Sequence, residues 1–296
     1  MEKRIIDLSE EPASLSVHLD QLIIRRGINE DSVPIEDLAA LIVAHPAVVF
    51  THAVLSSLCE KGSIFVLCNE KRMPTGMLLP LESHSTQSER LTAQANASAA
   101  IQNKIWKYIV KAKISAQARV LKMVLGDDMG LSLMAGKVRS GDLSNIEGHA
   151  ARRYWLGLFG SSFRRAPMAQ DSANRLLNYG YAVLRAIVAR AIVSTGLHPS
   201  LGVHHHNRYD AFCLADDLME PFRPLVDITV KNLIEKRGNE IPLDKDAKAS
   251  IIGGIISTRL KSHGESRSIF DTVSRIAASL AENFLGKNTK LEFPDW

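Results

Sequence analysis

The chain has 296 residues, 46% of them apolar and 23% charged, with a net charge of +4. Those are ordinary globular values and exclude a disordered or fibrous chain. At about 150 residues per domain the length points to two domains, able to fold without metal or disulfide staples. Three scattered cysteines, Cys59, Cys68 and Cys213, suit neither a disulfide framework nor a four-cysteine zinc site. No apolar run approaches the roughly 18 residues that cross a bilayer, and the charged start lacks a signal-peptide core. A cytoplasmic protein without a membrane segment is the expectation.

Charge is unevenly spread. Residues 1–80 hold 7 Lys/Arg and 11 Asp/Glu, residues 81–200 hold 16 and 7, and residues 201–296 hold 13 and 14. A basic middle third is the usual footprint of a polyanion-binding surface, although solvated helix faces give the same count.

In chain order, residues 4–8, the alternating stretch Ser14–Leu19 and Leu22–Arg25 read as short strands, with Gly27 and Asn29 as turn residues. Asp31-Ser32-Val33-Pro34 ahead of Ile35–Leu41 predicts a helix, with Pro early and acids in its first turn. A second short helix is expected from Thr51 to Gly62, and Ile64–Cys68 as a buried strand. Residues 1–80 thus form a small β-rich domain, and the polar stretch at 81–88 reads as a linker. From Glu89 to residue 296 the pattern is helical. Ile101, Ile105 and Tyr108 share one face, and segments 115–125, 147–159, 171–195, 217–236 and 268–285 have similar character. The stretch 171–195 is the most apolar and is the candidate central helix, ended by Gly196 and Pro199. After residue 237 short helices and a polar tail at 286–296 are expected. The fold class is α+β: a β-rich N-terminal domain followed by a larger all-α domain.

Two stretches concentrate acids and histidines. In the first, Glu147 shares a helix face with Ala151, Tyr154 and Leu158. At the helix entry a carboxylate gains from the macrodipole, so a plain capping role also suits it. The second runs from Gly202 to Pro224 and holds His204, His205, His206, Asp216, Asp217 and Glu220. On a helix Asp217 and Glu220, or Asp216 and Glu220, project together. Like charges there call for a counter-ion, a proton or a metal. Pro221 belongs in a first helical turn, which makes Asp216 or Asp217 a candidate N-cap. In an extended segment His204 and His206 face one way and His205 the other. One imidazole with carboxylates and open water positions suits Mg²⁺ or Mn²⁺ better than structural zinc.

Glu147-Gly148-His149-Ala150-Ala151-Arg152, Leu177-Asn178-Tyr179-Gly180-Tyr181-Ala182-Val183-Leu184, and Gly202-Val203-His204-His205 running into Leu214-Ala215-Asp216-Asp217-Leu218-Met219-Glu220-Pro221-Phe222-Arg223-Pro224 resemble the CRISPR-associated integrase family. The likeness is dense over residues 145–227, looser over 1–100 and absent after about 240; its HHHN run is similar to type II members. The resemblance implies a sandwich-like domain ahead of a helical catalytic domain, and insertion of new spacers into a CRISPR array. It implies that Glu147, His205 and Glu220 hold a Mg²⁺ or Mn²⁺ ion, with His204 the lesser choice, since the family's histidine falls at the fourth position of Gly-Val-His-His. It makes Asp217 a neighbouring or water-mediated ligand. It also implies a homodimer that joins a small dimeric partner protein of the adaptation complex on double-stranded DNA. The reaction it implies is attack by a 3′-OH on the repeat phosphodiester, with water in its place giving nuclease activity. Arg152, Arg153, Arg164, Arg165 and Arg175 are close enough in sequence to line a phosphate track, each also suited to an ordinary surface role. Tyr154, Tyr179 and Tyr181 suit core packing better than stacking on DNA. A plain metal-dependent nuclease and a non-catalytic helical DNA-binding module are the competing readings.

Overall fold

The computed structural model describes residues 3–69, 74–166, 169, 171–262 and 264–294. The N-terminal part is two four-stranded sheets. One is ordered β1–β5–β7–β8 (Arg4–Leu8, Leu38–Val43, Ile64–Cys68, Pro74–Leu78), the first three strands parallel. The other is ordered β4–β3–β2–β6 (Asn29–Pro34, Gln21–Arg26, Ser14–His18, Val49–Phe50). Period-two alternation sorts the first sheet's side chains. Leu41, Val43 and Phe65 point into a core shared with Leu15, Leu22 and Ile24 of the second sheet and with Val54 and Leu58 of α1 (His52–Glu60). Ala40, Ile42, Ile64 and Val66 point the other way, into the core of the helical part.

That double burial overturns one expectation. Residues 35–41 are not a helix: a single 3₁₀ turn at Ile35–Asp37 leads into strand β5. All six residues of β5 are buried, and a central parallel strand covered on both faces has the same continuous apolar run as a buried helix segment.

The polar stretch after β8 is coil as far as α2 (Gln87–Ala95), and the Ser83 hydroxyl donates to the Val193 carbonyl. The long α3 (Ala99–Leu125) is one unbroken helix where the sequence suggested two pieces. Next come α4 (Leu131–Lys137), α5 (Ile146–Phe159) and α6 (Ser172–Ser194). In length and composition α6 is apolar enough to cross a membrane, contrary to the sequence expectation. Most of it is buried inside the protein as the central core helix. Gly180 lets it approach its neighbours: a Cβ there would lie 2.3 Å from Val226 Cγ1 and 3.1 Å from Ile251 Cγ2. Helix α7 (Cys213–Met219), a 3₁₀ turn at Glu220–Phe222 and α8 (Arg223–Arg237) replace the single segment expected at 217–236. After α9 (Lys245–Ser257) comes a hairpin, β9 (Leu260–Ser262) and β10 (Glu265–Arg267), unforeseen in the sequence. The last helix is α10 (Ile269–Phe284).

Polar bonds tie the sheets to the helices. Tyr179 Oη donates to Asp7 Oδ2 at 2.5 Å, Arg190 Nε to the Gly62 carbonyl at 2.6 Å, and buried Lys248 pairs with Glu10 at 2.6 Å. All three cysteines are free.

Candidate functional site

Three local structures deliver the acids and the histidine. The first is the start of α5. Asp142 and Asn145 adopt left-handed φ values of 46° and 49°, which short polar side chains tolerate. Asp142 Oδ1 and Oδ2 accept from the Ile146 and Glu147 amides at 3.0 and 2.9 Å, and Asn145 Oδ1 accepts from Gly148 N at 3.2 Å. These side chains satisfy the first-turn donors, so Glu147 is not the capping acid. Its carboxylate instead meets Lys113 of α3, Nζ to Oε1 2.5 Å.

The second is the 202–205 loop, wrapped around Asp217 of α7. That carboxylate is fully buried and accepts from the amides of Val203, His204 and His205 at 2.7, 3.0 and 3.3 Å. It also lies 2.5 Å from His205 Nδ1. Gly202 is required there, because a Cβ would stand 2.3 Å from the His205 carbonyl and 3.0 Å from Asp217 Oδ2. Asp217 therefore organises the loop and orients His205. The His204 ring lies flat on Trp106 of α3, centroids 4.0 Å apart and planes within 3°. His206 is exposed.

The third is the 3₁₀ turn that opens at Glu220. Pro221 and Pro224 sit where their missing N–H groups cost nothing, at the starts of the turn and of α8. Asp216 and Asp217 are therefore interior residues of α7, not its N-cap, and the amide of Phe212 at the helix entry is held by Asp210. The three acids also do not project together. Asp216 forms a two-pronged pair with Arg185 at 2.7 Å, Asp217 faces the histidine loop, and Glu220 faces Lys113 and Arg223 at 2.6 and 3.2 Å.

The two glutamates thus share one cation. Lys113 Nζ stands between Glu147 and Glu220, with its side chain only 12% exposed. Glu220 Oε2 is buried against Nζ at 2.6 Å, a close ion pair whose angle is poor for a hydrogen bond. Burial opposes both charges. For Lys113 the fields of Glu220 and Glu147 outweigh it and raise the ammonium's pKa. For Glu220 the Arg223 and Lys113 cations outweigh it and hold the carboxyl below its ordinary value. The hydrogen bond to Asp217 raises His205, and the field of Glu220 adds to it. Burial lowers His204.

Behind the site Arg223 lies over the Tyr181 ring, 4.9 Å from its centroid. Tyr154 of α5 and Tyr181 of α6 both donate to buried Asp227 of α8, at 2.9 and 2.5 Å. These tyrosines belong to the core, as expected. Burial pushes the Asp227 carboxyl up to about 7.

Among the described residues no three His, Cys, Asp or Glu side chains stand close enough to hold an ion as placed. The two glutamates nevertheless fit a hard divalent cation. They converge on one cationic position, one carboxylate oxygen there has poor hydrogen-bond geometry, and the adjoining imidazole has its Nδ1 engaged, so Nε2 is the nitrogen that would face an ion.

Residues 7–252 match the family described as CRISPR associated protein Cas1. The chain belongs to the Cas1 family. Across 97% of its length it is 34% identical to a CRISPR-associated endonuclease Cas1 of Neisseria meningitidis serogroup C, covering 95% of that protein. The fold is similar to that of a casposase bound to integration product, with a TM-score of 0.82, 21% identity, and 98% of this chain and 93% of that one covered. It is also similar to a Cas6-RT-Cas1–Cas2 complex, with a TM-score of 0.77 and 18% identity; the match covers all of this chain and 36% of that longer one.

The arginines in this Cas1-family chain divide into two groups. Arg165 donates to Asn174 and Asn178 at 2.8 and 2.6 Å and lies over Tyr181, and Arg164 donates to the Ser161 and Phe163 carbonyls. Arg165 anchors the approach to α6, and the exposed Arg164 closes its own loop. Arg152, Arg153 and Arg175 are exposed, Arg153 donating to the Met129 carbonyl at 3.3 Å. Sequence reasoning missed Lys113, Trp106, Asp142 and Arg223. Lys113 did leave a signal: it is a lysine on the helix stripe formed by Trp106, Ile109, Val110 and Gln117, all of them buried.

Proposed function

We propose that this Cas1-family chain inserts spacer DNA into a CRISPR array at a divalent-cation site formed by Glu147, His205 and Glu220, with Mg²⁺ or Mn²⁺ as the ion. The observation that carries this reading is the convergence of Glu147 and Glu220, 73 residues apart in sequence, on a single cationic position beside the Asp217-anchored His205. When bound, such an ion polarises the scissile phosphate and lowers the pKa of an attacking hydroxyl.

The chain's own residues prepare the site. Asp217 Oδ1 accepts a hydrogen bond from His205 Nδ1–H, which leaves the lone pair on Nε2. Arg223 favours the ionised form of Glu220. Asp142 and Asn145 hold the first turn of α5 and with it the Glu147 backbone. A 3′-OH of the incoming duplex attacks phosphorus at the repeat edge, and a new O3′–P bond forms as the repeat strand's own P–O3′ bond breaks. The proton lost by the attacking hydroxyl to solvent is matched by one the leaving 3′-oxygen takes up; water in the same position gives nuclease activity.

The partners of this reading are double-stranded DNA, a second copy of the chain and a small dimeric partner. The DNA is supported by the basic middle third and by the casposase described as bound to an integration product. Exposed Arg152, Arg153 and Arg175 are the proposed phosphate contacts. The Cas6-RT-Cas1–Cas2 complex supports a Cas2 partner. The exposed apolar residues Val49, Phe50 and Leu67 beside the ends of β5 and β7 support self-association. Residues 1–80 form the β-rich domain in this reading and 89–296 the catalytic one.

The test is a joining assay with a 3′-OH duplex and a repeat-bearing plasmid. Joined products that need Mn²⁺ or Mg²⁺ and vanish in Glu147→Ala, His205→Ala and Glu220→Ala are expected. Cleavage without joining supports a plain nuclease. Salt-sensitive binding that ignores chelators, with no turnover, supports a non-catalytic module.

A further inference from the structure

We propose that Lys113 is a resident counter-cation of the two-glutamate site. Its ammonium holds the position between Glu147 and Glu220 until a divalent ion displaces it. This inference rests on the metal site proposed above and adds a residue that competes with the ion.

Lys113 reaches both carboxylates at 2.5 and 2.6 Å, from a helix that contributes no ligand to the proposed set. Glu147 and Glu220 balance Lys113 and Arg223, so the four groups are neutral together. A divalent ion added to them brings two uncompensated charges, and withdrawal of one cation halves that excess. The two cations differ in where they stand. Arg223 lies over the Tyr181 ring and pairs with Glu220 at 3.2 Å. Lys113 is a point charge on a flexible four-carbon stem, and its Nζ stands between the two carboxylates, on the position the ion would take. It is the group the ion must displace.

Such a placeholder has two effects. It prevents the glutamates from repelling one another and splaying apart before the ion arrives. It also makes the ion compete with a tethered ammonium, which weakens binding and confines loading to conditions that favour it.

The test is a direct Mn²⁺ titration of the metal-free full-length protein by calorimetry or by the Mn²⁺ spin-resonance signal. It compares wild type with Lys113→Met, Lys113→Gln, the remote Lys122→Met on the same helix, and Glu147→Gln. Both Lys113 variants are expected to bind Mn²⁺ about tenfold tighter or more, because a unit positive charge is removed from the ion's own position. Lys122→Met is expected to bind as wild type does. Metal-free Lys113→Met is expected to melt lower than wild type and to gain more from Mn²⁺. Unchanged or weaker Mn²⁺ binding in the Lys113 variants, with binding lost in Glu147→Gln, overturns the placeholder while the site stands. Mn²⁺ binding intact in Glu147→Gln overturns the site itself. A Mn²⁺-loaded wild-type crystal with Nζ still between the two carboxylates overturns the placeholder whether or not the variants fold.

Discussion

Replacing Asp217 by alanine removes one carboxylate and strands four donors at once. The Val203 amide is the costly one, since Val203 is buried and its N–H has no water to turn to. A buried donor left unpaired costs about 1–3 kcal/mol. The His205 imidazole is 45% exposed and finds water, so its loss shows as disorder of the ring more than as instability. The His204 and His205 residues are also exposed, and their amides are freed as the loop opens. Global stability is therefore expected to fall by about 2–3 kcal/mol, with charge-assisted bonds at the upper end. Asp217→Asn recovers less than half of that, because its NH₂ faces donors. Urea denaturation reads the first quantity as a shift of midpoint at constant slope. Hydrogen exchange reads the second as lost protection of the 203–205 amides. Loss of the group that orients His205 is expected to weaken Mn²⁺ binding by about 10–100-fold. An alanine variant within about 0.5 kcal/mol of wild type, with those amides equally protected, refutes the claim that this carboxylate builds the loop.

Other outcomes follow from the surrounding packing. Asp227 titrates near 7 in the folded chain, so between pH about 4 and 7 the folded form keeps a proton that the unfolded form sheds. Its contribution is fully present below pH about 4 and declines as pH rises to about 7, on the order of 4 kcal/mol over three units. Asp227→Asn is expected to flatten stability across that range, and an identical slope in the variant contradicts the assignment. Gly180→Ala gains about 1 kcal/mol of helix propensity but drives a methyl into Val226 Cγ1. A net loss of about 1–2 kcal/mol is expected in thermal melts, and an unchanged or raised melting temperature argues against tight α6–α8 contact. Asp142→Ala removes two cap bonds to α5 and is expected to cost about 1–2 kcal/mol. DNA joining should fall alongside as Glu147 loosens; full stability and full joining together rule out the cap's role.

Local patterns were legible where a single principle governed them. The alternation in 14–18, the apolar run at 64–68 and the periodicity of 172–194 all became the elements their patterns imply. Pattern failed at 35–43, where capping chemistry at Pro34–Asp37 mimicked a helix start but burial on two sides made a strand. It failed again at 217–236, where Glu220-Pro221 interrupts the helix and aims the glutamate sideways at α3. The candidate ligands were recognisable from their resemblance to a family, but their supports were not. Nothing local to Asp217 says that it gathers the backbone of 203–205, and nothing local to Lys113 says which acids face it. Those are long-range contacts between segments that meet only once α3, α5 and α7 have packed. The Cas1-family match then accounts for the order of the motifs, and the geometry accounts for what each side chain does.

The most direct measurement is anomalous diffraction from crystals of the wild-type chain grown with Mn²⁺. The account predicts one strong manganese peak in coordination contact with carboxylate oxygens of Glu147 and Glu220 and with Nε2 of His205. A peak elsewhere, or well-ordered glutamates with no peak between them at saturating Mn²⁺, contradicts it.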